Sequence, residues 1–210
     1  MVGSIVLTTQ VALGGSPRIE PLPTAVRSEL SGRFWRQGCP VALGDLRLLT
    51  TTQWGFDGKE FQGQLIVNKS AAVPLAQAFS QLHALHFRVR HMGLSDMYGP
   101  SGAGPADGDV TASFECRQAV PSPCSGGSAT GHWSNHAYGL AVDLNPNENP
   151  YVGCGQTRDP ARRIYLNRSR IRRGMVTPAV VEAFRSVGWS WGGAWTGSTK
   201  DYMHFSYNGH

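Results

Sequence analysis

The chain has no uninterrupted apolar run approaching the roughly 18 residues that mark a membrane-crossing helix, so no transmembrane segment is expected. Charge is scarce: 14 acidic and 19 basic residues make up 16% of 210, and this composition disfavours a helical bundle. None of the four cysteines, Cys39, Cys116, Cys124 and Cys154, stands in a CxxC pair or a finger-like spacing, which argues against a structural zinc held by four thiolates. There is no internal repeat and no helix-turn-helix, finger or aromatic RNA-binding motif, so nucleic acid is not an expected partner despite a net charge of +5. The opening also lacks basic residues before Arg18, and its apolar stretch at residues 5–7 stops at Thr8, so it is a poor secretion signal.

What is abundant is turn chemistry. With 26 glycines and 13 prolines, the composition predicts a turn-rich mixed fold. The length suits one domain with a sizeable core. Residues 1–30 read as an arm or linker and residues 31–210 as the domain, and a monomer is expected.

Strands are predicted over residues 46–54 and 64–68, forming a hairpin around Phe56-Asp57-Gly58. A helix over residues 71–86 follows, with Val73, Leu75, Ala76, Phe79, Leu82 and Leu85 at helical spacing and Pro74 in the first turn. His83 and His86 on it are better explained as helix-face polarity than as metal ligands. Residues 95–109 read as a loop, and residues 145–151 as a second, turn-rich loop able to wall a site. Thr177 followed by Pro178 marks a helix start, and Gly188 its end. Trp189, Trp191 and Trp195 line a groove or pack the core.

The basic excess concentrates at residues 158–173, where seven arginines accompany one acid, Asp159. Such a patch suits an anionic partner, whether nucleic acid, a teichoic acid-like polymer or carboxylate-rich peptidoglycan, or else is simply a solvated face. For the cysteines, two disulfides are the preferred reading and four buried thiols the alternative. One of three possible pairings closes Cys116 onto Cys124 across a proline-containing loop and leaves Cys39 for Cys154.

The chemistry centres on residues 134–143, Ser-Asn-His-Ala-Tyr-Gly-Leu-Ala-Val-Asp, and on residues 201–204, Asp-Tyr-Met-His. Over residues 140–145 apolar side chains alternate, with Leu140, Val142 and Leu144 on one face and Asp143 on the other. Gly139 permits a turn that folds His136 back over the face bearing Asp143. His204 alternates with Phe205 in a short terminal strand and supplies a third ligand. Two neutral imidazoles and one carboxylate form an open set for zinc, one ion per chain, with the fourth position left to water. Asp201 then stands beside the metal as general base and acid, provided the chain turns at Tyr202-Met203, because an i, i+3 spacing along a straight strand sends the two side chains to opposite faces. Arg117, arriving from residues 110–117, is placed to clamp a substrate carboxylate or steady an oxyanion, with a surface salt bridge as the plainer reading.

These motifs resemble the SxHxxGxAxD and [DE]xxH signatures of the VanY-like D-alanyl-D-alanine carboxypeptidase family of zinc peptidases, which also contains L-alanyl-D-glutamate endopeptidases of phage endolysins. The likeness extends to FECR at 114–117, NPNENPY at 145–151 and GWSWGGAW ahead of DYMHF, so it spans roughly residues 31–210. It implies an α+β domain with a Hedgehog-like fold, in which a small antiparallel sheet carries the zinc, flanked by helices and long loops. By the same resemblance His136, Asp143 and His204 are the zinc ligands, Asp201 the catalytic acid/base, Arg117 the substrate-stabilising arginine and Ser134 a substrate-contacting serine. The implied substrate is the peptidoglycan stem peptide, the implied location extracytoplasmic or wall-associated. Several carboxypeptidase members carry glutamate where this chain has Asp201, and aspartate there is similar to the endopeptidases. The competing expectation is a zinc-containing wall-binding module of the same fold that does no chemistry.

Overall fold

The structure is a computed structural model that describes residues 15–100, 104–125 and 131–210. Mixed α and β elements form small sheets, mostly antiparallel, with short helices against them. The largest sheet is built on the expected hairpin, β2 (Leu46–Gly55) and β3 (Glu60–Asn68), paired from Leu46 opposite Asn68 to Trp54 opposite Glu60. β1 (Arg18–Pro21) adds to β2, and β4 (Arg88–Val89) pairs in parallel with the far end of β2. Residues 18–30, expected as an arm, thus supply β1 and the short helix α1 (Thr24–Leu30), whose Leu30 is fully buried.

Alternation along the hairpin explains why both of its faces are covered. Leu46, Leu48 and Ile66 point into one core with Leu30, Tyr98 and Phe114, whereas Leu49, Leu65 and Val67 point into the other. That second core receives α2 (Ala72–Ala84) through Leu75, Ala76, Phe79 and Leu82, together with α4 (Pro178–Arg185) through Val180 and Phe184. Val73 and Leu85, placed in the apolar stripe from sequence, are exposed instead: Val73 lies two residues, or about 200°, from Leu75, and Leu85 caps the helix end. The Thr177 side chain accepts from the Val180 amide as the N-cap, and Gly188 leaves the helix with a positive φ of 84°. His83 is held by Glu60 at 2.7 Å and stacks on Trp54, so it serves the surface of the hairpin.

One expected loop contains structure. Within residues 95–109, α3 (Leu94–Tyr98) forms because the Asp96 carboxylate accepts from the Gly93 amide at 2.8 Å, and the Tyr98 hydroxyl donates to the Phe114 carbonyl at 2.6 Å in the core.

Two further sheets carry the C-terminal half. One is ordered β5 (Ala141–Asp143), β10 (His204–Ser206), β8 (Ser190–Trp191); the other β7 (Gln156–Thr157), β6 (Tyr151–Gly153), β9 (Lys200–Asp201). Phe205 anchors the first to the core, stacked at 4.0 Å on Phe184, and burying such a ring is worth about 1.5–3 kcal/mol.

The loop after β5 is a buried polar hub. The Asn145 amide donates to the Arg88 and Gly174 carbonyls, while Asn149 donates to Leu144 and Gly174 and accepts from the Val176 amide and Arg168. Beside them the Arg90 guanidinium lies 3.1 Å from Glu148 and 3.3 Å from the buried Asp109. Burial, then the neighbouring Asp109 carboxylate, push Glu148 up to about 7 against the opposing pull of Arg90.

Both cysteine pairs are disulfides, but with a different pairing from the one drawn above: Cys39–Cys116 and Cys124–Cys154. Cys116 cannot close onto Cys124, because the chain between them runs on extended, with Gln118 bridged to Trp133 and the Ala119 amide donating to the His132 carbonyl. Cys116 instead faces Cys39 beside the first core, and Cys124 lies over the turn between β6 and β7.

Two predictions follow from this scaffold. Intact mass should rise by four hydrogens on reduction, and non-reducing peptide mapping should recover the 39–116 and 124–154 pairs; losing the first, which closes the longer loop, should cost about 2–4 kcal/mol by chemical denaturation. A carboxyl raised on folding stabilises fully below its unfolded pKa and loses that contribution as pH rises through the folded value. Glu148→Gln should therefore gain thermal stability relative to wild type between pH 5 and pH 8; a variant that instead loses ground over that interval contradicts the assigned cause.

Candidate metal centre and cleft

Three side chains converge from three local contexts. Ser134 accepts from the His136 amide at 3.2 Å and so caps a 3₁₀ turn, Asn135–Tyr138, that holds His136. Gly139 ends that turn at φ 67°, where a Cβ would sit 2.7 Å from the Asn68 amide nitrogen, which donates to the Gly139 carbonyl. The hairpin end therefore clamps the turn, and only glycine fits there.

Asp143 closes β5, and His204 opens β10 directly opposite it. Paired residues of an antiparallel ladder share a face, so the register itself brings this imidazole to this carboxylate. His204 Nδ1 lies 3.1 Å from Asp143 Oδ1, His136 Nε2 lies 3.2 Å from the same oxygen, and the two ring nitrogens are 3.3 Å apart. The three donor atoms lie within 4.8 Å of one another, a grouping that could hold a metal ion. Both rings are buried and both are tied at their far nitrogens. His136 Nδ1 donates to the Ser113 carbonyl at 2.6 Å and His204 Nε2 to the His210 carbonyl at 3.2 Å, which turns the other ring nitrogen of each toward the space shared with Asp143. The donor set, two oriented imidazoles and a carboxylate, fits a divalent cation.

Burial opposes the charge on Asp143, yet His136 and then His204 hold it well below the usual carboxylate range. Burial likewise opposes protonation of His204, but Asp143 and Asp201 raise it.

Asp201 sits on β9, opposite Tyr151 of β6, while His204 belongs to a different sheet. The bend at Tyr202-Met203 between them is the turn the sequence required. Burial, then the Asp143 charge, push Asp201 up to about 7, and its Oδ1 is buried with no hydrogen-bond partner. Gly192 permits this packing: a Cβ there would meet the Asp201 carbonyl at 2.7 Å and the His204 Cβ at 3.3 Å.

A cleft of about 440 Å³ opens over the cluster, and Ser134, Asp201 and Arg117 line it with the three donors. Arg117 Nε is bound by Glu115 at 2.5 Å, its Nη1 donates to the Gln118 carbonyl, and Asp143 and Asp201 lie close enough to act on its charge. All six residues singled out from sequence thus border one space.

Two residues that support the site from behind were not singled out. Ser113 contributes through its carbonyl, which no side-chain pattern reveals. Glu115 stands two residues before Arg117, a same-face spacing that was available to read. Of the three tryptophans, Trp189 is core, Trp191 packs against it and donates to the Tyr202 carbonyl, and Trp195 faces the cleft. The arginine segment divides likewise: Arg168 binds the polar hub and covers the Tyr202 ring, Arg173 donates to the Phe56 carbonyl, and Arg158 and Arg162 border the cleft.

Residues 127–207 match the profile of the D-alanyl-D-alanine carboxypeptidase family, which bears out the VanY-like resemblance and takes in all three donors and Asp201. Comparison with curated proteins and with solved structures returned no match.

The cluster should bind about one divalent ion per chain. Elemental analysis after dialysis should find it in wild type and in Asp201→Ala, and should find it lost from His136→Ala and His204→Ala. Equal retention in the histidine variants would remove these residues from the ligand set.

Proposed function

We propose that this chain, whose residues 127–207 match the D-alanyl-D-alanine carboxypeptidase profile, is a zinc peptidase acting on peptidoglycan stem peptides, as a D,D-carboxypeptidase or an L-Ala-D-Glu-type endopeptidase. The observation that carries the reading is the pairing of an open His136-Asp143-His204 donor set with the half-buried Asp201 carboxylate, whose Oδ1 has no hydrogen-bond partner, across the same cleft. His136, Asp143 and His204 would hold the zinc. When bound, zinc supplies Lewis acidity and lowers the pKa of water at the site.

The remaining steps belong to the chain. Asp201, poised near neutrality by burial, takes a proton from the attacking water and passes it to the leaving amine. Asp143 stays ionised beside it, so the two carboxylates take different roles because their surroundings push their pKa values apart. Arg117, with Nε fixed by Glu115, turns its remaining Nη2 toward the developing oxyanion or a substrate carboxylate. Ser134 caps the turn under His136 and contacts substrate from the cleft wall.

The α+β architecture agrees with a Hedgehog-like arrangement, and two disulfides suit an extracytoplasmic, wall-associated protein. Among the described residues no helix is long and apolar enough to cross a membrane.

Digestion of purified peptidoglycan, with mass spectrometry of the new termini, tests the reading and identifies the bond. Asp201→Ala should keep metal and fold while losing about 10²-fold or more of the rate. Turnover at the wild-type rate would remove Asp201 from the mechanism. Binding of wall fragments without cleavage by wild type would favour a non-catalytic wall-binding module.

A further inference from the structure

Apart from Asp201, whose Oδ1 has no partner, the charged groups bordering the cleft are matched with one exception. Arg117 is held by Glu115, Asp143 by two histidines, and Arg162 lies 3.2 Å from Asp159. Arg158 differs. Among the described residues no carboxylate lies within ion-pair distance of it, yet its guanidinium is not free to wander. Its Nη2 donates to the Pro121 carbonyl at 2.9 Å, and its Cζ stands 5.9 Å from the centre of the Tyr151 ring.

Both supports are themselves braced. Tyr151 lies in β6 directly opposite Asp201 and packs edge-on against Trp195. Pro121 belongs to the segment that Cys124–Cys154 fastens to the β6–β7 turn, and Ser122 Oγ bonds Thr199 Oγ1 at 2.7 Å just before β9. An exposed arginine ordinarily loses side-chain entropy when it captures an anion; here part of that loss is already incurred, which favours binding.

We infer that Arg158 forms an anion subsite in the cleft that recognises a free carboxylate of the bound peptide, away from the scissile bond. The position follows from the ladder. A strand spacing of about 4.8 Å separates Asp201 from Tyr151, and the aromatic ring extends the reach to Arg158. The recognised carboxylate therefore belongs to a neighbouring part of the substrate and not to the bond that faces Asp201. The ligand class is an acidic peptide, and its side-chain amide is the analogue the subsite rejects. Arg162 is secondary, because Asp159 offsets its charge. The identification of the ligand as a peptide rests on the peptidase reading; the anion subsite does not.

Two synthetic stem-type peptides, identical except that one side-chain carboxylate is converted to carboxamide, provide the probe. Binding is followed by tryptophan fluorescence or calorimetry on the zinc-loaded full chain carrying Asp201→Ala, so that turnover does not consume the peptide. The acidic peptide should bind about tenfold tighter than the amide, the scale of one charge-assisted hydrogen bond. Arg158→Gln should bring that ratio close to one, Arg158→Lys should retain part of it, and Arg162→Gln should reduce it less than Arg158→Gln does. Thermal melting checks that each variant is folded. A ratio near one in the parent protein, or a ratio unchanged by Arg158→Gln, overturns the subsite. If the protein with Asp201 intact cleaves neither peptide while the ratio still depends on Arg158, the peptidase reading fails and the subsite stands.

Discussion

The structure depends most on the register of β10 against β5. His204 stands directly opposite Asp143, and a slip of one residue would turn His204 into the core and Phe205 into the cleft. The register is held by apolar burial on the opposite face. Val142, Leu144 and Phe205 are fully buried, and Phe205 lies on Phe184 of α4. Truncating a buried phenylalanine costs about 3–5 kcal/mol, more than the hydrogen bonds of so short a ladder could restore. Backbone bonds beyond the strands, Leu144 to the Met203 carbonyl and Tyr207 to the Leu140 carbonyl, extend the same alignment.

From that ladder the site is assembled by changes of direction. Gly139 lets the chain fold His136 under the β5 face, and the bend at Tyr202-Met203 moves Asp201 into a separate sheet. The consequence is a cluster in which one carboxylate lies between two imidazoles and the other borders the cleft with one oxygen unpaired. Asp143 is held ionised, whereas Asp201 is raised and left with an unpaired oxygen. Two identical functional groups acquire different chemistry through placement alone.

The walls are rigid for independent reasons. Behind β5 the asparagine hub and the Arg90-Asp109-Glu148 cluster satisfy backbone groups that a loop would otherwise leave bare, and Arg168 joins that hub to the Val176 carbonyl. On the other side the Cys124–Cys154 disulfide and the contacts of Arg158 tie the β6–β7 turn to the segment before it. A basic run of seven arginines is thus not one surface: some of its members brace the scaffold, and Arg158 and Arg162 border the cleft.

The sequence by itself determined the elements whose signals are local: the β2–β3 hairpin, the α2 stripe, the Thr177 cap and the alternation that turns Asp143 away from the core. It also determined which side chains could act as donors, because two histidines and an aspartate in those motifs have few other uses in combination. The short α3 helix was not legible, since beyond its local Asp96–Gly93 cap it is held by a tyrosine bonded to a carbonyl sixteen residues away in the chain. The disulfide pairing, the tautomer locks at Ser113 and His210, and the exposure of Val73 were likewise decided in three dimensions. Each of these depends on which backbone passes beside a side chain, and periodicity along one strand or helix carries no information about its neighbour. The division of the tryptophans and arginines between core, scaffold and cleft has the same cause: their chemistry is written in the sequence, but whether it meets solvent, a carbonyl or a cavity is fixed only when separate elements pack.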